Sequence, residues 1–542
     1  MNMVALRNTS HKLITFLGIT RSFWLWFAAL LVVVGLLLPL VYLGMRGFSA
    51  DEQVWAWLLR AQTLELIGRS LGLAGAVSLA SIVLSVPLAW LVTRSDLAGK
   101  RFWSTVLPLP LVIPSYVGAY LYLSAFGSRG LLQSVLEGLF GVQRLPDISG
   151  FWGSFLVLTL MSYPYIFLTV RAALLRSDRS VEEAARSLGN TPWQTFWRAV
   201  FPLLRPAIAA GSLLTGLYVL RDFGAVSILR YTTFTRAIYI QYQSSFDRAG
   251  AALLALVLVA VTIGVLYFEL RLNNRQNLSS PQTHKPPPLV RLGRWRIPAT
   301  LFILMVLLLA LVLPAGMLGY WLVRGLAAGE QVGDWVRPLI NSLLAAGFGS
   351  VASLLAALPL AILAVRHPGR ASSLLERFSY IGFALPGVVI ALALVFFGAN
   401  FMPWAYQTLA MLVFAYVILF LPQGVGSVRA SLLQVHKNVE EAGHSLGAGP
   451  LRVFIRVTLP LVWPGVASGM ALIFLTVMKE LPATLILSPT GFPTLATQIW
   501  SAVSEAFFAR AAFPALLIIL ISSLPLAVFN LYSTKRGSSY PQ

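Results

Sequence analysis

Long apolar stretches separated by short polar ones dominate the chain. Runs of about 20 apolar residues, the length of helix that crosses a bilayer core, recur twelve times. Six lie near 22–45, 68–93, 103–126, 151–170, 208–230 and 250–269, and six near 298–323, 340–365, 378–399, 404–424, 464–487 and 511–532. Between the two sets, Arg271 to Arg296 reads RLNNRQNLSSPQTHKPPPLVRLGRWR, polar, basic and Pro-rich, as a linker should be. The expected architecture is an all-α polytopic membrane protein with twelve transmembrane helices, in six-helix halves at 1–270 and 298–542 joined by a linker at 271–297. The first run, Ser22 to Met45, follows a basic segment but far exceeds the roughly 7 to 15 apolar residues of a secretory signal. No small-residue cleavage site follows it, so it reads as an uncleaved first span.

The halves repeat each other. Ser70 to Arg94 aligns with Ser342 to Arg366 at an offset of 272, with 12 of 25 identities, and the same offset pairs Pro114 with Pro386. Further on, VEEAARSLGNTPWQTFWRAVFPLLRP at 181–206 aligns with VEEAGHSLGAGPLRVFIRVTLPLVWP at 439–464, offset 258, with 13 of 26 identities and no gap. The first half therefore carries 14 extra residues, assigned to the loop Ser124 to Gly150. With both termini on one side, segments on that side hold 27 Lys and Arg, those opposite hold 11, and Arg221 and Lys479 fall within spans. The positive-inside rule makes the richer side cytoplasmic. Both copies of the 26-residue segment then face the cytoplasm, and the halves are parallel repeats about an axis along the membrane normal.

Composition agrees. The chain is 58% hydrophobic and 11% charged, too apolar for a soluble fold of 542 residues. Its net charge of +21 would suggest nucleic acid in a soluble protein, but the cytoplasmic bias accounts for it, and no nucleic-acid partner is expected. There is no cysteine, hence no disulfide, thiol catalysis or thiolate metal site. The five histidines, His11, His284, His367, His436 and His444, all fall in segments assigned to the cytoplasm. No phosphate-binding G-x-x-x-x-G-K-[ST] loop occurs, since Gly99-Lys100 lacks the preceding Gly. Neither a Ser-His-Asp arrangement, a nucleophile elbow nor a zinc spacing is present. The chain is expected not to be an enzyme and to bind no cofactor of its own.

Each 26-residue copy reads as a short helix, a turn and a second short helix. Glu182, Glu183, Ala184 and Ala185 favour helix, Gly189 can supply a left-handed stop, and Pro192 suits the first turn of the next helix. Pro202 and Pro206, with Pro460 and Pro464 in the second copy, are expected to end that helix. Both copies resemble the EAA loop of the membrane subunits of ATP-binding-cassette importers: Glu183, Ala184, Ala185, Gly189 and Phe201-Pro202 match, as do Glu441, Ala442, Gly447 and Leu459-Pro460. Gly443 replaces the second Ala of the motif and lowers local helix propensity by roughly 1 kcal/mol. In that family the loop docks on the ATPase, so the resemblance implies two copies of a cytoplasmic ATPase subunit, which would use the ATP and Mg. The residues assigned to coupling are Glu182, Glu183, Ala184, Ala185, Gly189 and Pro202, with Glu440, Glu441, Ala442, Gly447 and Pro460.

Charged residues inside spans form a further repeat pair. Arg221-Asp222-Phe223-Gly224-Ala225 aligns with Lys479-Glu480-Leu481-Pro482-Ala483. At roughly 2.5 to 3.5 kcal/mol each on insertion scales, such groups normally face the bundle interior or a water-filled cavity. Cross-pairing of Arg221 with Glu480 and of Lys479 with Asp222 is the expectation, either as a gate on the translocation path or as a static tie. The segments LRDFGAV and MKELPATL resemble the ferric-iron branch of these importers, and that resemblance covers nearly the whole chain. It implies a type I importer permease fold in a bacterial inner membrane, with both termini cytoplasmic. It also implies ferric iron delivered by a periplasmic or surface-anchored binding protein and moved by alternating access. Oxygen ligands from Asp222 and Glu480 would suit a hard cation, whereas Arg221 and Lys479 would repel one; no metal site is assigned.

Rival substrates of the same class are thiamine, then sulfate, molybdate and polyamines. From other classes, a twelve-span secondary transporter also has two parallel halves but needs no EAA-like loops, and a scaffold or channel does not need paired charges. Tyr163, Tyr165, Trp193 and Trp197 can be read as a ligand box, but interfacial belts are expected to explain most of them. Gly72, Gly75, Gly347 and Gly349 are expected to permit close helix packing.

Overall fold

The computed structural model describes residues 3–48, 60–177, 179–243, 248–273, 289–330 and 334–537. Most of the expected linker, with His284, lies outside the described residues. Almost everything described is helix, and among the described residues a single β-bridge joins Ser95 to Val290. Nine of the described helices are long and apolar enough to cross a membrane; two bent pairs raise this to eleven if each pair is one span. The shorter apolar helix Phe508–Ser523 falls where the twelfth run was expected.

The bent pairs occupy equivalent places in the repeat. Lys100–Val112 meets Ser115–Phe140 at 94°, and Arg370–Phe383 meets Gly387–Phe401 at 103°. The breaks are at Pro114 (φ −61°, ψ 145°) and Pro386 (φ −64°, ψ 149°), extended backbone that a helix cannot contain. The third and ninth expected spans are thus elbows followed by shorter helices.

By its contacts the chain forms two compact units that cut across the sequence halves: Met1–Met45 with Arg337–Thr494, and Arg46–Val336 with Leu495–Gln542. In the first unit the N-terminal helix Met3–Phe48 joins helices of the second repeat: the Phe414 ring stands 3.2 Å from where a Cβ on Gly35 would be, and Tyr42 stacks on Phe396 at 4.5 Å. In the second unit Tyr122 donates its hydroxyl proton to the Leu309 carbonyl, and Trp321 meets Phe508 at 5.4 Å. Helices in lipid gain little from apolar burial and associate through close packing and hydrogen bonds, and both occur here. A Cβ on Gly211 would lie 2.8 Å from Ile166 Cα, one on Gly424 3.0 Å from Ala357 Cβ, and one on Gly349 3.0 Å from Tyr416. Close packing is not seen at Gly72, Gly75 and Gly347, where a Cβ would meet nothing within 4 Å among the described residues.

One further expectation is corrected. Tyr163 is fully buried and not interfacial, with its hydroxyl donating to the Leu107 carbonyl (2.7 Å) at the first elbow. The loop holding the 14 extra residues contains a helix, Leu131–Phe140, with Leu132, Val135, Leu139 and Phe140 exposed. Gln133 anchors it by donating to the carbonyls of Val142 (3.0 Å) and Gln143 (3.1 Å).

Candidate functional site

The two 26-residue segments fold alike. Helix Arg179–Ser187 ends in a turn at Gly189 (φ +82°), where Asn190 N–H bonds Ala185 C=O (3.3 Å) and Gly189 N–H bonds Arg186 C=O (2.9 Å). Helix Lys437–Ser445 ends at Gly447 (φ +81°) with the same two bonds, Ala448 to Gly443 (3.2 Å) and Gly447 to His444 (2.9 Å). This is the Schellman closure, in which a left-handed glycine returns the last carbonyls to backbone donors. The glycine in place of alanine at 443 leaves the helix intact, and Val453 packs 3.1 Å from where its Cβ would stand. The tip of each turn is a leucine held out to solvent, Leu188 at 82% and Leu446 at 88% exposure. Trp193 and Trp197 stand beside the first tip, both exposed, in an edge-to-face pair at 5.7 Å. Glu183 and Ala184, like Glu441 and Ala442, are exposed as well.

After the turn the structure departs from expectation. Pro202 and Pro460 do not end a short helix. The chain runs on from Pro192–Thr195 through a π-helical turn, Phe196–Val200, into Phe201–Arg221, and from Pro450–Val453 through Phe454–Thr458 into Leu459–Met478. A proline lacks the N–H for the i→i−4 bond and crowds that carbonyl; a wider π turn immediately before it absorbs both faults. A third π turn, Leu308–Val312, stands in the same register before Pro314.

Glu182 and Glu440, the first acidic residues of each segment, turn inward. Glu182 Oε1 lies 3.0 Å from the Arg94 guanidinium, with side-chain exposures of 12% and 4%; Arg94 also donates to the Ser177 hydroxyl. Glu440 Oε1 accepts from Arg366 (2.9 and 3.2 Å) and from the Thr458 hydroxyl (2.9 Å), while Arg366 also reaches the Val435 carbonyl (3.1 Å). Neither arginine was singled out from the sequence. The signal was available, because both close the repeated 25-residue segment and face a repeated carboxylate of opposite sign.

The intramembrane charges do not lie along unbroken helices. Phe201–Arg221 stops at Asp222, and a short helix Gly224–Ile228 follows; Leu459–Met478 stops before Glu480, and Pro482–Leu487 follows. Each carboxylate caps the short helix: Asp222 Oδ1 accepts from Ala225 N–H (3.0 Å) and Val226 N–H (3.3 Å), and Glu480 Oε1 from Ala483 N–H (3.3 Å). The carbonyls at the breaks are satisfied too, by Thr235 on Asp222 (2.5 Å) and Thr484 on Glu480 (2.6 Å). In lipid every opened backbone group needs an internal partner, so the polar residues at these breaks follow from the breaks themselves.

Each carboxylate also touches the helix that follows an elbow. Ser115, first residue of Ser115–Phe126, hydrogen-bonds Asp222, and the Glu480 carboxylate lies against Gly387, first residue of Gly387–Phe401. Offset 272 makes Ser115 and Gly387 equivalent. Two positive helix ends therefore converge on one carboxylate in each repeat, which accounts for an acid at this depth without a metal. Among the described residues, no group of three or more His, Cys, Asp or Glu side chains is arranged to hold a metal ion.

Comparison with known proteins follows the same division. The family profile described as the binding-protein-dependent transport system inner membrane component matches residues 81–277 and again 349–536. The chain is 36% identical over 523 residues to the Fe(3+)-transport system permease protein FbpB 2 of Haemophilus influenzae, covering 95% of this chain and 99% of that one. It is 25% identical over 500 residues to the ferric transport system permease protein FbpB of Actinobacillus pleuropneumoniae, covering 88% and 72%. A solved bacterial ABC transporter that imports alginate aligns with 48% of this chain and 99% of its own at 18% identity, TM-score 0.39. With the profile matched once in each repeat and a full-length relative at this identity, the chain belongs to the family of binding-protein-dependent transport system inner membrane components.

Proposed function

We propose that the chain is the fused permease subunit of an ATP-driven importer of ferric iron. The single observation that carries the importer reading is the pair of equivalent turns, each rigidly closed at a left-handed glycine and tipped by a leucine that none of the described residues covers. Leu188 stands with exposed Val181, Trp193 and Trp197, and Leu446 with exposed Val439; exposed apolar residues gathered on one rigid turn mark an interaction site, and two equivalent turns call for two copies of one partner. The partner is a cytoplasmic ATPase subunit that binds the ATP and Mg, while this chain binds no cofactor and performs no hydrolysis. Glu183, Ala184, Gly189, Glu441, Ala442 and Gly447 form the docking surface, with Glu182, Ala185 and Glu440 behind it and Pro202 and Pro460 setting the π turns.

The substrate follows from the relatives, whose names specify Fe(3+) or ferric transport. Iron would arrive from a binding protein on the outer face of a bacterial inner membrane, with both termini of this chain in the cytoplasm. Arg221 and Lys479 would line the translocation path, and Asp222 and Glu480 would hold its broken helices in place. Closure of the ATPase pair would carry the two turns together and reopen the cavity outward.

The test is uptake of labelled ferric iron by iron-starved cells with and without the chain, in competition with unlabelled thiamine and with vanadate present or absent. Loss of vanadate-sensitive iron uptake without the chain, unaffected by thiamine, is the expected result. Unchanged iron uptake overturns the substrate, and vanadate-insensitive uptake overturns the ATP-driven class.

A further inference from the structure

Arg94 and Arg366 sit where three elements meet. Each is the last residue of a long apolar helix, Ala61–Arg94 or Val336–Arg366. Each reaches the residue just past the end of another, Ser177 after Phe151–Arg176 or Val435 after Leu409–Gln434. Each pairs with an acid in the first turn of the helix that precedes a left-handed glycine, Glu182 or Glu440. The arrangement is kept in both repeats, at offsets of 272 for the arginines and 258 for the acids, although about half of the aligned positions around them differ. A shared constraint on the geometry, and not a chance surface pair, is what a duplicated three-way contact reports. The pairs are also largely withdrawn from water, with side-chain exposures of 4% and 12% in one and 12% and 19% in the other, so salt screens them far less than exposed pairs.

We propose that Arg94 and Arg366 are positioning residues for coupling. Each latches the helix behind the docking turn to the ends of two membrane helices, so that the three move as one body. Without the latch, that helix could rock against the span ends, and a push from a docked partner would be spent locally. The arginines touch neither partner nor substrate, and their effect runs through Glu182 and Glu440. The inference rests on the importer reading above.

The experiment uses the assembled permease and ATPase complex in proteoliposomes with iron-loaded binding protein, and compares wild type, Arg94→Gln with Arg366→Gln, and the reversal Arg94→Glu with Glu182→Arg. Two quantities are read: iron transported per ATP hydrolysed, and amide hydrogen exchange across 179–187. In the double glutamine variant, exchange across 179–187 is expected to rise, and iron moved per ATP to fall about tenfold, within the range of measured coupling energies. ATPase copies should still co-purify at the wild-type ratio. The reversal in the first half should recover protection, because the Ser177 hydroxyl, which now donates to the Leu174 carbonyl (3.0 Å), can turn its one proton to a carboxylate at position 94. Unchanged exchange and unchanged iron per ATP in the glutamine variant overturn the latch. So does a rise in exchange that the reversal leaves uncorrected, since pairing would then not be the cause. If no ATPase co-purifies with wild type, the importer reading fails instead, while the exchange measurement still decides whether the pair holds the helix.

Discussion

Gly189 and Gly447 offer a quantitative test of the docking turns. Both have φ near +80°, and in both cases a Cβ would meet nothing within 4 Å. Within the chain, therefore, a substitution costs only backbone strain, about 1 to 2 kcal/mol per residue for an L-residue held left-handed. Asn pays less because its side chain tolerates this region, and Val pays most. For both turns together, alanine then costs about 2 to 4 kcal/mol of turn closure, enough to make a marginal hairpin open much of the time. The assay is iron uptake and ATPase co-purification for paired Ala, Asn and Val variants. If conformation is all that matters, activity should fall in the order Gly, Asn, Ala, Val, with Asn near wild type. If the turn lies bare against a partner, the open space seen here is filled in the complex, and Asn should fail as badly as Val. Normal uptake in the paired Val variant would refute the coupling role altogether.

Other predictions concern the breaks and π turns. Asp222→Asn and Glu480→Gln keep an acceptor for the capped N–H groups and should retain most stability. The alanine variants should lose about 0.5 to 2 kcal/mol for the cap and more where an N–H is left unpaired in lipid; thermal unfolding in detergent compares them, and equal loss in both pairs would favour charge over capping. The reciprocal exchange Arg221→Glu with Glu480→Arg tests cross-pairing. An arginine at 480 cannot accept from Ala483 N–H, so uptake should stay impaired, and full recovery would rank pairing above the cap. Pro202→Ala with Pro460→Ala should let the π turns relax to α geometry, turning each docking segment about 100° relative to its span. Uptake should collapse while the spans keep their stability, and retained uptake would show the π turns to be incidental.

Much of this was legible in the sequence because span length and repeat identity are properties of many residues at once. The elbows were not, since a proline within an apolar run leaves its hydropathy unchanged. Pro87, Pro164, Pro359 and Pro422 sit inside continuous helices, whereas Pro114 and Pro386 end them. What distinguishes the two cases is tertiary, namely the carboxylate from a neighbouring break that meets the new helix end. Asp222 and Glu480 are recognisable in the sequence as intramembrane charges, but their capping of short helices is not, because hydropathy does not reveal that the helices break there. The latch is legible only in part, since Arg94 and Arg366 each close a repeated segment and Glu182 and Glu440 stand at the start of another, but only the fold brings the two segments together.

What the repeats share is one mechanical line. A single helical rod, Trp193–Arg221, 29 residues and so about 40 Å long, starts beside the docking turn and ends at the break capped by Asp222. In the second repeat, Phe454–Met478 runs in the same way toward Glu480. A helix is stiff along its axis, so a displacement at the turn would not need relaying through loosely packed side chains; it would arrive directly at the break, where the helical hydrogen bonding is already interrupted. The features found in one repeat alone lie off this line. Backbone bonds from Val290 to Arg94 C=O (2.7 Å) and Asp96 N–H (3.1 Å) strap the described end of the linker to the first repeat, and the amphipathic Leu131–Phe140 belongs to a loop that is longer in the first repeat than in the second. The bond to the Arg94 carbonyl makes that strap abut the latch itself. Shortening the linker should therefore tighten the first turn before it affects the second, and exchange across 179–187 compared with 437–445 in a shortened variant would measure the difference. Equal effects on the two helices would mean that the strap carries no force to the latch.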